Sequence, residues 1–151
     1  MKVFVPLKIP ARQARNLLHV IRVRILIADD EKVFSFALAD LVRTCGHEVV
    51  DVVHSGLDAI RSYRRHKPDV VLMDVLMPRL NGLTACRNIL SEDPGGCILF
   101  LSGITEHYDL APISFGARAV LQKPIESALL HRVLQEAAAQ RLRTPQADTP
   151  A

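Results

Sequence analysis

No stretch of the 151-residue sequence comes near the ~18 consecutive apolar residues that a membrane span needs, because Arg22 and Arg24 interrupt its longest apolar run. An integral membrane protein is not expected. Cysteine is scarce and odd in number: Cys45, Cys86 and Cys97 lie far apart, with no C-x-x-C pair. That spacing excludes a disulfide framework, a zinc site and a dithiol redox motif, and leaves three small apolar side chains in a reducing cytosol. The six histidines, His19, His47, His54, His66, His107 and His131, show no i, i+3 or i, i+4 pairing of the kind a helical metal site uses, and no chemistry is assigned to them. Repeats and low-complexity segments are missing too. Acidic residues are absent from positions 1–22, which hold Lys2, Lys8, Arg12, Arg15 and Arg22. Of 19 basic residues, the 14 that remain face 16 acidic ones. The sequence pI of about 9.0 therefore describes the leader. The body is slightly acidic, so a nucleic-acid or anionic-membrane partner is argued only for residues 1–22. Pro6 and Pro10 break that leader, and it has no apolar core of ~7–15 residues ahead of a cleavage site, so it does not read as an export signal.

What is present is a regular alternation. Short, nearly continuous apolar runs at 23–28, 70–73 and 98–101 are what strands look like when a parallel sheet is covered on both faces. Valines flanking Asp51 and a run at 117–121, with Arg118 as its one charge, add two more. Helical spacing fills 32–45, 57–67, 83–92, 105–115 and 126–142. Five β-α units with short connectors predict a three-layer α/β sandwich with right-handed crossovers. The proline-bearing tail 143–151 reads as frayed, and 1–22 as a flexible basic extension, with 23–142 as the folded domain. Residues 11–22 alternatively form a short basic amphipathic helix.

In such sandwiches ligands sit beyond the carboxyl ends of the strands, where strand order reverses. Asp29 and Asp30 end the first strand, Asp74 the third, Ser102 the fourth and Lys123 the fifth. In strand order 2-1-3-4-5 the first and third strands are neighbours, so the three carboxylates converge. Facing carboxylates raise one another's pKa unless a cation lies between them. Mg2+, a hard ion held by one or two carboxylates together with phosphate, answers that. Asp30 and Asp74 are the expected direct ligands, with Asp29 acting directly or through water and the Leu76 carbonyl adding an oxygen. A carboxylate beside such an ion can attack phosphorus and become an aspartyl phosphate. Lys123 supplies positive charge opposite the metal, and Ser102 a hydroxyl that donates to a phosphoryl oxygen. Taken singly each residue has a plainer role: Asp29 and Asp30 as helix caps, Asp74 as a turn residue, Ser102 as a loop hydroxyl, Lys123 as a solvated lysine. Arg61, Arg64, Arg65 and Lys67 read as a solvated face rather than a nucleic-acid site.

The set Asp29-Asp30-Glu31, the run DVLMPRLNG from Asp74 to Gly82, Leu101-Ser102-Gly103 and Gln122-Lys123-Pro124 resembles the receiver domain of two-component response regulators, over about residues 23–142. The resemblance implies a flavodoxin-like fold. It implies Asp74 as phosphoacceptor, charged from the phosphohistidine of a sensor histidine kinase or histidine phosphotransfer protein. Asp29 and Asp30 organise Mg2+, Ser102 is the switch hydroxyl, and Lys123 contacts the phosphoryl group. The Lys123-Pro124 peptide is a candidate for the cis form common in the family, and Asn81-Gly82 for the turn into the third helix. Two departures concern output: Val120 stands where receivers usually carry Tyr or Phe, and Pro112 falls inside the expected fourth helix. The expectation is a cytoplasmic, stand-alone receiver that signals through protein contacts, with no direct DNA binding and with phosphorylation-dependent homodimerisation open to it. It accepts a phosphoryl group without turning over an organic substrate. Two alternatives stand beside it. One is a phosphorylation-independent adaptor. The other is a Mg2+-dependent phosphatase of the haloacid-dehalogenase type, which places a second Asp where this chain has Leu76.

Overall fold

The computed structural model describes residues 21–103 and 114–143. Five strands, β1 (Arg24–Ala28), β2 (Glu48–Val53), β3 (Val70–Asp74), β4 (Ile98–Ser102) and β5 (Ala119–Gln122), form one parallel sheet in the order β2-β1-β3-β4-β5. Four helices are described: α1 (Lys32–Thr44), α2 (Gly56–His66), α3 (Gly82–Glu92) and α4 (Ser127–Arg143). The order 2-1-3-4-5 of the flavodoxin-like fold, which the family resemblance implies, is thus observed. The expected helix at 105–115 and its Pro112 lie outside the described residues, except for Ser114 and Phe115, as do the leader up to residue 20 and the tail from residue 144.

Strands β1, β3 and β4 are apolar along most of their length because each presents alternate side chains to two covered faces. On one face Ile25, Ile27, Val70, Leu72, Leu99 and Leu101 pack against α1 (Leu38, Ala39, Val42) and α4 (Leu130, Leu134, Ala137). On the other, Leu26, Ala28, Val71, Met73 and Phe100 meet α2 (Ala59, Ile60, Tyr63) and α3 (Ala85, Cys86, Ile89). Cys86 and Cys97 are buried and Cys45 half-buried, all three as free thiols. Burial pushes the Cys86 thiol up to about 12, which keeps it protonated and inert.

Edge strand β2 is half-buried along its length, and its register with β1 slips at Val50, so that Ile25 faces Val49 while Leu26 faces Asp51. β5 begins two residues later than the apolar pattern suggests. Ala117 is buried and the Arg118 N–H bonds to Ile98 O (2.9 Å), so the approach to the sheet is already apolar before pairing starts. No helix among the described residues is long and apolar enough to cross a membrane.

Candidate functional site

Parallel register brings the chemistry-bearing residues to one rim. Ala28 pairs with Met73, so the next residues, Asp29 and Asp74, lie side by side; Asp74 in turn pairs with Leu101, and Ser102 with Gln122. Lys123 leaves β5 with its N–H on Ser102 O (2.8 Å), which ties the serine and the lysine to adjacent rungs. The Lys123-Pro124 peptide is cis.

Carboxylate oxygens of Asp29, Asp30 and Asp74 all lie within 4.8 Å of one another. Asp29 and Asp74 are buried and Asp30 is exposed. The Lys123 Nζ sits 2.7 Å from Asp29 Oδ2 and 3.5 Å from Asp74 Oδ2, with only 13% of its side chain exposed. Desolvation lowers the lysine's pKa more than any single partner raises it. The hydrogen bond to Asp29, then the charges of Asp74, Asp29 and Glu31, together outweigh that burial and hold the ammonium above its ordinary value. One ammonium does not neutralise three carboxylates. Three hard oxygen donors converging at a partly solvated rim fit a divalent cation such as Mg2+.

Backbone geometry holds the rim in place. The Asp29 N–H bonds to Val53 O (3.0 Å), Asp29 Oδ1 accepts the Glu31 N–H (2.9 Å), and His54 Nδ1 donates to Asp29 O (2.8 Å). Neither Asp29 nor Asp30 is the N-cap of α1: that position is Glu31, which makes no side-chain cap bond, and Asp29 Oδ1 instead holds the turn that leads into the helix. The loop from Asp74 into α3 is fastened at both ends. The Gly56 N–H bonds to Leu80 O (3.0 Å) and the Gly82 N–H to Val75 O (2.7 Å). A β-carbon on Gly56 would come within 2.1 Å of Leu80 O, and one on Gly82 within 2.0 Å of Asp74 O, so both positions require glycine for close backbone approach. Asn81 caps α3, its side chain accepting the Thr84 N–H (2.9 Å), in agreement with the turn read at Asn81-Gly82. Leu76 lies in this loop and is 47% exposed. Ser102 is half-buried, its Oγ 3.3 Å from Gly103 O. Val120, at the position usually aromatic, packs partly buried against the α2–α3 side of the core.

Sequence reasoning did not find Phe34, whose ring lies under the Lys123 ammonium (4.3 Å from Nζ to the centroid), nor the anchoring role of His54. Both contacts join elements far apart in sequence, and neither residue carries a local signal. The basic cluster of α2 is exposed, as expected. Arg61 pairs with Asp58 (3.5 Å), and Arg64 with Glu92 of α3.

The profile of the response regulator receiver domain matches residues 25–135. The chain is 31% identical over 114 residues to the chemotaxis protein CheY of Thermotoga maritima, covering 75% of this chain and 95% of that protein. With the chemotaxis protein CheY of Bacillus subtilis it shares 32% over 105 residues, covering 69% and 88%. Among solved structures, the receiver domain of a sensor histidine kinase from Pseudomonas aeruginosa PAO1, with a magnesium ion coordinated in its active site cleft, superposes with a TM-score of 0.72 at 29% identity, covering 79% of this chain and 99% of that one.

Proposed function

The chain belongs to the response regulator receiver domain family, and from that premise we propose that Asp74 accepts a phosphoryl group from the phosphohistidine of a sensor histidine kinase or histidine phosphotransfer protein. The observation that carries this reading is the placement of the Lys123 ammonium between the buried carboxylates of Asp29 and Asp74 at the strand ends. An Asp74 carboxylate oxygen attacks phosphorus, the phosphorus–nitrogen bond of the donor breaks, and the imidazole leaves. Lys123 is placed to exchange its Asp74 contact for a phosphoryl oxygen, taking up charge beside two buried carboxylates. The Ser102 hydroxyl donates to a second phosphoryl oxygen. Asp29, Asp30 and Asp74, with the Leu76 carbonyl, are the residues that would hold Mg2+. When bound, the ion neutralises the carboxylates and the incoming oxygens.

In this reading residues 23–142 are the working unit, in the cytoplasm, and 1–22 a basic extension. The output passes through protein contacts rather than through DNA. In this reading the site accepts and loses one phosphoryl group and does not turn over an organic substrate.

The test is incubation with Mg2+ and acetyl phosphate, followed by mass spectrometry. The expected result is a base-labile +80 Da adduct on Asp74 (one HPO3 added), absent in Asp74→Asn. Steady turnover of organic phosphates would instead support a phosphatase, and an unlabelled protein an adaptor; either outcome rejects the proposal.

A further inference from the structure

Lys123 carries its charge on a flexible four-carbon stem, and flexibility is a cost where in-line geometry matters. Its contacts with Asp29 (2.7 Å) and Asp74 (3.5 Å) are unequal, so the two carboxylates alone draw the ammonium towards Asp29 and away from the atom that is to be phosphorylated. A third contact comes from another element. Phe34, in the first turn of α1, presents its ring face 4.3 Å from Nζ. A ring face attracts a cation through its quadrupole without supplying a lone pair, so this attraction persists while the ammonium exchanges one hydrogen-bond acceptor for another.

Resting on the phosphoryl-acceptor reading of the same site, we infer that Phe34 is a positioning residue: its ring holds the Lys123 ammonium at the opening between Asp29 and Asp74 and so speeds phosphoryl acceptance. The plainer role is packing, since Phe34 is also half-buried against the core shared by α1 and α4. The two roles separate by substitution. Tyr keeps the ring face, whereas Leu keeps an apolar side chain and loses the quadrupole.

The experiment measures the initial rate of adduct formation on Asp74 from acetyl phosphate at saturating Mg2+, together with the NMR shift of the Lys123 ε-methylene protons, which a ring beneath the ammonium moves upfield. Phe34→Tyr is expected to label within about twofold of wild type, and Phe34→Leu roughly tenfold more slowly, the size of a partly desolvated cation–π contact. The upfield shift is expected in wild type and Phe34→Tyr, and lost in Phe34→Leu. Equal rates for Phe34→Leu and wild type overturn the inference, as does equal slowing of Tyr and Leu, which marks packing as the cause. A wild-type Lys123 signal without ring shift overturns it even where Phe34→Leu fails to fold. A wild-type protein that takes no adduct rejects the acceptor reading itself, an outcome distinct from a labelled wild type whose rate ignores position 34.

Discussion

His47 is a base that folding makes harder to protonate. The residue is 4% exposed, its Nδ1 accepts the Val23 N–H (3.2 Å), and Nε2 is buried without a hydrogen-bond partner among the described residues. Its ring stacks on His131 of α4, with centroids 5.9 Å apart. Burial first, and the neighbouring His131 second, lower its pKa below the ordinary 6.5. The sign of the consequence follows. As pH falls below 6.5 the unfolded chain takes up a proton more readily than the folded chain does. Stability is therefore complete above that value and declines until the folded pKa is reached, by at most about 1.4 kcal/mol per pH unit. His47→Asn keeps an acceptor for Val23 and removes the titration. Urea unfolding at pH 7.5 and 5.5 is expected to show a smaller drop in the variant than in wild type, and equal drops would dismiss His47 as the source. Spacing in the sequence gave no hint of this pair, because His47 and His131 meet only through the packing of α4 beside the entry to β1. The strand-end residues were legible for the opposite reason: a carboxylate or lysine closing an apolar run is a local pattern with a fixed geometric meaning.

Among the elements, β1, β3 and β4 were the most legible, since burial on both faces leaves an uninterrupted apolar run. β2 was read from valines around a single charge, and that charge has a function of its own. The Val53 carbonyl accepts the Asp29 N–H, so residue 53 turns inward and residue 52 outward. The outward Val52 N–H is accepted by Asp51 Oδ1 (2.9 Å), while Asp51 Oδ2 accepts the buried Ser62 hydroxyl (2.7 Å). With the slip at Val50, this blunts an edge that could otherwise pair with another chain. Asp51→Val is expected to leave Val52 unpaired and to raise concentration-dependent aggregation, seen by light scattering at 37 °C. It also costs about 1 kcal/mol through the orphaned Ser62 hydroxyl. A variant as soluble as wild type would show that the edge is protected by other means.

For the whole molecule, the acidic rim is a property of the folded chain alone, because Asp29 and Asp74 are 45 residues apart in sequence and meet only through strand pairing. Mg2+ held there, as proposed, would bind the folded state and not the unfolded one, raising stability by about 2.7 kcal/mol at a hundredfold excess over Kd. Thermal unfolding is expected to shift up by several degrees with Mg2+ and to return with EDTA. Asp30→Ala, which removes an exposed ligand and leaves the core untouched, reduces the gain. Identical melting with ion and chelator would remove Mg2+ from the account.

The backbone N–H and carbonyl of Ile21 are both bonded to the side chain of Gln135 (3.2 and 3.1 Å), at the rim opposite the acidic residues. From Gln135, α4 runs on for eight more residues, roughly 12 Å further from the carboxylates. A fluorophore or sensor-chip linker joined ahead of residue 21 or after residue 143 therefore starts on the far side from Asp74 and leaves the acidic rim open.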